Sequence, residues 1–189
     1  ITEIASLVQE HGGTLHTDAV QAIGKVPVST ASPTIHLLTA TAHKIYGPRS
    51  TGLLYVREGT EIEPLLYGGG QERTLRPGTE DVAGAVAFAT ALRLAVAEQA
   101  EEAIRLDALR NAFEARVLAE IPDVRINAGA APRSPSISSL GISGVDGSLL
   151  LNALDLEGVA TSGGSACASG TNAASHVISA LFGPDDTNA

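Results

Sequence analysis

The 189-residue sequence has no Met and no Trp, one Cys, three Tyr and three Phe. A single cysteine excludes an internal disulfide. Basic residues are scarce: 12 Lys and Arg stand against 21 Asp and Glu, for a net charge of −9, and no basic run occurs. The electrostatic footprint of a nucleic-acid or anionic-membrane partner is therefore missing, and neither partner is expected. No apolar run approaches the roughly 20 residues of a membrane span, and none is expected. No charged leader followed by an apolar segment and a small-residue cleavage site is found. A reducing, cytoplasmic setting is the expectation. A translated chain begins with Met, whereas this one begins Ile1-Thr2-Glu3. The chain is accordingly expected to be a portion of a longer protein, in which case any leader would lie outside it.

What is present is globular. Apolar residues make up 44% and charged residues 17%, and 20 Gly and 9 Pro are near ordinary usage, which excludes disorder, collagen and coiled coil as descriptions of the whole. The length suffices to bury a sizeable core. Ile4, Leu7 and Val8 have helical spacing, and Gly12-Gly13 stops that helix. Strands are predicted at 14–18, 35–39 and 52–56, with Gly47-Pro48 as a turn between the last two. Helix and short strands without strict alternation suggest an α/β sheet covered on both faces. From Thr79 to Ile121 the pattern is helical, with Val82, Val86, Ala89, Leu92 and Val96 and then Leu106, Leu109, Phe113 and Val117 as the apolar face. Either a break lies near residues 99–102 or one helix of about 60 Å runs through. Glu80 and Asp81 are placed in its first turn and Pro122 ends it. Further strands are predicted at 124–126, 136–142 and 159–161, with a helix over about 147–156 capped by Asp146 and another at 176–181. This second half reads as a smaller α/β unit.

Three groups carry candidate chemistry. Lys44, in TATAHKIYGP, follows a strand directly, and the carboxyl edge of an open α/β sheet is where ligands bind. A lysine there can form a Schiff base with a carbonyl ligand; the plain alternative is a solvated surface lysine. Asp18, in HTDAVQ, ends its own strand and can hold a protonated pyridine nitrogen; the alternative is a helix N-cap. Cys167 sits in TSGGSACASGT, whose Gly, Ser and Ala flanks lack the apolar neighbours of a core strand. It reads either as a nucleophile on an exposed loop or as a small buried hydrophobe.

These strings, HTDAVQAIGKVPV, TATAHKIYGPRSTGLLYVR, YGGGQERTLRPGTEDVAGAVAFATAL and TSGGSACASGT, occur in family order and together span nearly the whole chain. The chain thereby resembles the cysteine desulfurases, pyridoxal phosphate (PLP) enzymes of the class V aminotransferase superfamily. The resemblance implies a fold-type I PLP-dependent transferase, with residues 1–78 as part of the cofactor-binding large domain. Residues 79–121 would be a connecting helix or helix pair, and 122–189 part of a small C-terminal domain with the cysteine loop. It implies that Lys44 holds PLP, Asp18 pairs with the pyridine nitrogen and Gln21 bonds the phenolic oxygen. Thr41 and His43 would contact the phosphate, Thr79 would reach the phosphate of the other subunit of a homodimer, and Cys167 would carry the persulfide, with Lys44, Cys167 and His43 as the catalytic residues. L-cysteine would be converted to L-alanine. The SGGSACASG string and the longer loop after it resemble the branch that feeds iron–sulfur scaffold proteins, so a sulfur-acceptor partner is implied.

Members of this family are roughly twice as long. Residues ahead of the stretch corresponding to Ile1 normally supply a phosphate-binding loop and a histidine that stacks on the ring, and residues beyond Ala189 an arginine for the substrate carboxylate. Two other readings stay open: a different class V enzyme, such as a selenocysteine lyase or an aminotransferase, and a catalytically silent dimerisation or scaffold-binding module.

Overall fold

The computed structural model describes residues 1–31, 35–164 and 175–183. It divides into two compact units. The first comprises residues 1–107 with 134–136, and the second residues 108–133 with 137–189.

The first unit opens with α1 (Thr2–Glu10). Gly12, at φ +65, lets the chain reverse, while the Gly12 and Gly13 N–H groups donate to the Gln9 and Val8 carbonyls at 3.0 and 2.8 Å. This is the Schellman arrangement, which satisfies two of the carbonyls a helix end leaves open. Three strands follow: β1 (His16–Asp18), β2 (Leu37–Thr41) and β3 (Gly52–Val56). β1 pairs parallel with β2, Asp18 opposite Thr39, and β2 pairs antiparallel with β3, Thr41 opposite Gly52. The core gathers Ala19, Ile23, Ile35, Leu38, Ala40, Ala42, Ile45 and Phe88. Burying each of the larger members contributes about 1.5–3 kcal/mol. The expected cover on both sheet faces holds at β2 only, where Leu38 and Ala40 are buried and their neighbours half-buried. On β3, Leu53 and Leu54 point to opposite faces and both are exposed.

The helical stretch is one unbroken helix, α2 (Val82–Glu120), 39 residues or about 58 Å of rise, so no break occurs near residues 99–102. Asp81 lies outside it and caps it, accepting from the Gly84 N–H at 2.9 Å. Its core-facing side differs from the expected one. Phe88 is buried and Ala91, Leu92 and Ala95 pack on the core, whereas Val82, Val86 and Val96 are more than half exposed. The physical reason is close approach: Gly84 and the alanines form the stripe that lets the helix axis come near the sheet. Those small residues also correct the membrane reading, because by length and composition α2 is apolar enough to cross a bilayer. The turn after β1 nests against this stripe. Gly24, at φ +71, sits where an added Cβ would meet Ala95 Cβ at 2.8 Å and Ile45 Cγ2 at 2.9 Å. One turn of helix further on, Gln99 Nε2 donates to the Val26 carbonyl at 2.8 Å.

In the second unit β4 (Val124–Ile126) and β5 (Leu140–Ile142) form an antiparallel pair. α3 (Gly147–Leu156) is capped by Asp146, which accepts from the Ser148 and Leu149 N–H groups. α4 (His176–Phe182) sets Phe182 under the Arg125 guanidinium, 3.6 Å from the ring centroid. β5 is shorter than the predicted 136–142, and residues 159–161 form no strand, since the chain leaves α3 through Gly158 at φ +79 without a ladder partner. Glu114 is buried and holds Arg133 through two bonds of 2.8 and 3.0 Å while accepting from Ser138 Oγ at 2.7 Å. The hydrogen bonds from Arg133 hold the Glu114 carboxyl below the usual carboxylate range, although burial alone opposes this.

Two predictions follow from this packing. Glu114→Ala removes the two bonds from Arg133 and the one from Ser138 at a buried position, and is expected to cost about 3–5 kcal/mol in urea denaturation. Because the folded carboxyl titrates below its unfolded value near 4.3, the contribution is present above that pH and lost as pH falls through the folded value. The variant should therefore show a shallower acid limb than the parent. Gly24→Ala should cost about 1–3 kcal/mol by the same measurement, more than Gly12→Ala, whose added Cβ meets nothing within 4 Å. Equal costs at the two positions would show that close approach is irrelevant.

Candidate active site at the carboxyl edge of the first sheet

Because β1 and β2 run parallel, their carboxyl ends lie side by side. Asp18 closes β1, and Thr41 closes β2. Asp18 is exposed and its Oδ1 accepts from the Val20 N–H at 2.9 Å. The bond forms a local turn that ends the strand and starts the 19–26 reversal. No regular helix follows, so the helix-cap alternative for Asp18 does not apply.

After Thr41 the chain enters a single 3-10 turn, Ala42–Ile45, that carries His43 and Lys44. Ala42 and Ile45 are buried and anchor the turn, His43 is exposed and Lys44 half-buried. Tyr46 then takes a left-handed conformation, φ 64, and the Gly47 N–H returns to the Ala42 carbonyl at 2.9 Å. Gly47 is needed there, since a Cβ would meet Ala42 Cβ at 2.8 Å.

Thr41 Oγ1 lies 2.9 Å from His43 Nδ1 and 3.3 Å from the Thr51 carbonyl. A hydroxyl has one proton for these two neighbours. When it is donated to Thr51, His43 carries the proton on Nδ1; when it is donated to His43, the imidazole proton sits on Nε2. The Thr51 carbonyl also accepts from the Ala42 N–H at 3.1 Å. Thr51 is in turn backed by the first turn of α2, where a Cβ on Gly84 would come within 2.8 Å of Thr51 Oγ1.

Gln21 is exposed on the reversal after Asp18, and its Oε1 accepts from Lys25 Nζ at 3.4 Å. Partial burial, and secondarily the charge of Lys44, lower the Lys25 ammonium below the ordinary lysine range. The two lysines are thus electrostatic neighbours. Of the sequence-predicted residues, the fold gathers Asp18, Thr41, His43 and Lys44 around two adjacent strand ends, with Gln21 on the reversal that follows. Thr79 is exposed on the segment ahead of α2 and makes none of the hydrogen bonds of this edge among the described residues. Cys167 lies outside the described residues. Lys25 was missed by sequence reasoning; the only signal was the Gly-Lys pair in VQAIGKVP, whose meaning depends on a contact with Ala95 seventy positions away.

A cleft of about 290 Å3 is lined by Asp18 together with Thr17, Ala22, Val26 and Ile35 among others. A wider one, about 760 Å3, is lined by Arg57, Glu58, Glu61, Glu63, Arg73 and Leu75 and holds none of the residues above.

The family model of the class V aminotransferases matches residues 1–184. The cysteine desulfurase IscS of Dictyoglomus turgidum is 42% identical over 184 residues, which is 97% of this chain and 47% of that protein. Among solved structures, a NifS-like protein of Rickettsia africae superposes with a TM-score of 0.82 at 29% identity, covering 86% of this chain and 45% of its own. SspA, solved in complex with cysteine, gives a TM-score of 0.71 at 29% identity over 95% of this chain and 49% of that one. The chain spans about half the length of the curated relatives it matches. Its mixed α/β fold is that of the NifS-like structures, and the family's members use PLP. The chain belongs to the class V aminotransferase family and is homologous to its cysteine desulfurases.

Proposed function

We propose that the protein carrying this chain is a cysteine desulfurase, taking sulfur from L-cysteine and leaving L-alanine. The observation that carries the reading is the parallel pairing of β1 with β2, which sets a carboxylate, Asp18, beside a turn that bears Thr41, His43 and Lys44. This donor set fits PLP. It offers an anion for a protonated ring nitrogen, hydroxyl and imidazole donors for phosphate oxygens, an amide, and an amine for a carbonyl carbon.

When bound, PLP supplies an electron sink that weakens bonds at the substrate carbons. Asp18 would hold the proton on the ring nitrogen and Gln21 would face the phenolic oxygen. Thr41 and His43 would hold phosphate oxygens, with Thr79 serving the phosphate of a second subunit in a homodimer. Lys44 Nζ would bind the cofactor and then, as a free amine, deliver a proton to the substrate carbon. The Cys167 thiolate would attack the substrate sulfur, so that a sulfur–sulfur bond forms as the carbon–sulfur bond breaks; the carbon keeps the electron pair and takes the proton. The persulfide would then pass its outer sulfur to an acceptor; by the resemblance of the Gly/Ser-rich string, that acceptor would be a scaffold protein for iron–sulfur assembly, and the setting would be the cytoplasm. Homology to cysteine desulfurases and the cysteine complex of SspA support this substrate.

Lys44→Ala is expected to lose covalently retained PLP and its visible absorbance. Cys167→Ser should keep that absorbance and lose sulfide release from L-cysteine in the presence of a thiol reductant, by at least a hundredfold. Undiminished sulfide release from Cys167→Ser would overturn the role of that thiol. A keto acid product without sulfide from the parent protein would replace the reading with amino-group transfer.

A further inference from the structure

Lys25 belongs to none of the roles above, yet its surroundings are constrained. The Gly24 backbone occupies a gap between Ala95 on α2 and Ile45, the residue after Lys44, that no side chain could share. The next residue but one, Val26, is fastened to α2 by the 2.8 Å bond from Gln99. Lys25 is fixed at both ends of its backbone by these contacts, and its ammonium reaches back one turn to Gln21 Oε1 at 3.4 Å. An ammonium can only donate, so the Gln21 oxygen is the atom it selects. The amide of Gln21 then presents its NH2 group on the other side, as a donor.

We propose that Lys25 is a positioning residue that sets the orientation of the Gln21 amide, so that the site offers an N–H donor, and never a carbonyl oxygen, to the ligand at this point. The ligand atom facing Gln21 is thereby required to be an acceptor, and an oxyanion suits it best. The position of Lys25 is relayed from α2 through Gln99 and Gly24. The identity of the ligand rests on the PLP reading; the Lys25–Gln21 arrangement does not. The lowered ammonium pKa of Lys25 agrees with a head group drawn in beside Lys44.

The test compares Lys25→Met, Lys25→Arg, Gln21→Ala and the Lys25→Met/Gln21→Ala double variant in the whole protein. The first readout is the Gln21 side-chain NH2 pair in amide-selective NMR without PLP. It is expected to shift and to exchange faster with solvent in Lys25→Met and to be restored in Lys25→Arg. The second is the dissociation constant for PLP itself, expected to rise about five- to tenfold in Lys25→Met, the worth of one hydrogen bond. In the Gln21→Ala background the same substitution should change it less than twofold. Unchanged Gln21 resonances in Lys25→Met, or additive losses in the double variant, would overturn the proposal. Should Lys25→Met fail to fold, Gln99→Ala, which loosens the turn while sparing both side chains, is expected to move the same resonances. A parent protein that binds no PLP refutes the functional reading while the NMR result still decides the fate of the Lys25 assignment.

Discussion

The parallel ladder between β1 and β2 is the constraint on which the site depends. Antiparallel strands would put Asp18 and Thr41 at opposite ends of the sheet; parallel ones bring both to the same edge. Three residue pairs, His16 with Leu37 through Asp18 with Thr39, fix that register. A slip of one residue would turn Leu38 and Ala40 out of the core, so the apolar burial that stabilises the sheet also enforces the alignment of the polar residues beyond it. Stability and chemistry are set by the same ladder.

α2 supplies the second layer of control. Its small residues allow close approach to the sheet, and its contacts reach residues next to those of the site. Gly84 backs Thr51, whose carbonyl holds the start of the lysine turn, and Ala95 with Gln99 backs the reversal that carries Gln21 and Lys25. In the second unit a different device serves, the buried Glu114–Arg133 pair with Ser138, which ties Arg133 and Ser138 to the helix by charge and geometry in place of apolar area. Such a pair gives little net stabilisation but specifies one arrangement.

Much of this was legible in the sequence where a local signal exists. β3, β4 and α3 coincide with their predicted spans because turn residues or the Asp146 cap bound them. Asp18 and Lys44 could be placed near strand ends because β1 follows the Gly12-Gly13 helix stop and β2 is a short, largely apolar run with the Gly47-Pro48 turn beyond it. The rest depended on partners remote in sequence. The apolar pattern of α2 holds two stripes, and periodicity alone could not tell that the sheet takes Gly84, Phe88 and Ala95 and leaves Val82 and Val86 exposed. Residues 159–161 are apolar enough for a strand but find no ladder partner. Lys25 acquires a defined position through Gly24, packed between Ala95 and Ile45, and through a bond spanning 73 residues of chain, from Gln99 to Val26.

The forked hydroxyl of Thr41 bears on what substitutions this position can accept. It needs a side chain with one rotatable proton and an oxygen on Cβ, so that both the Thr51 carbonyl and the His43 ring stay within reach. Only serine and threonine meet that description among the twenty residues; valine matches the shape and offers neither bond. The alphabet at position 41 therefore contains two letters, and the choice between them turns on a single methyl group. That methyl favours the extended backbone of a strand's last residue, so serine would keep the chemistry while loosening the end of β2.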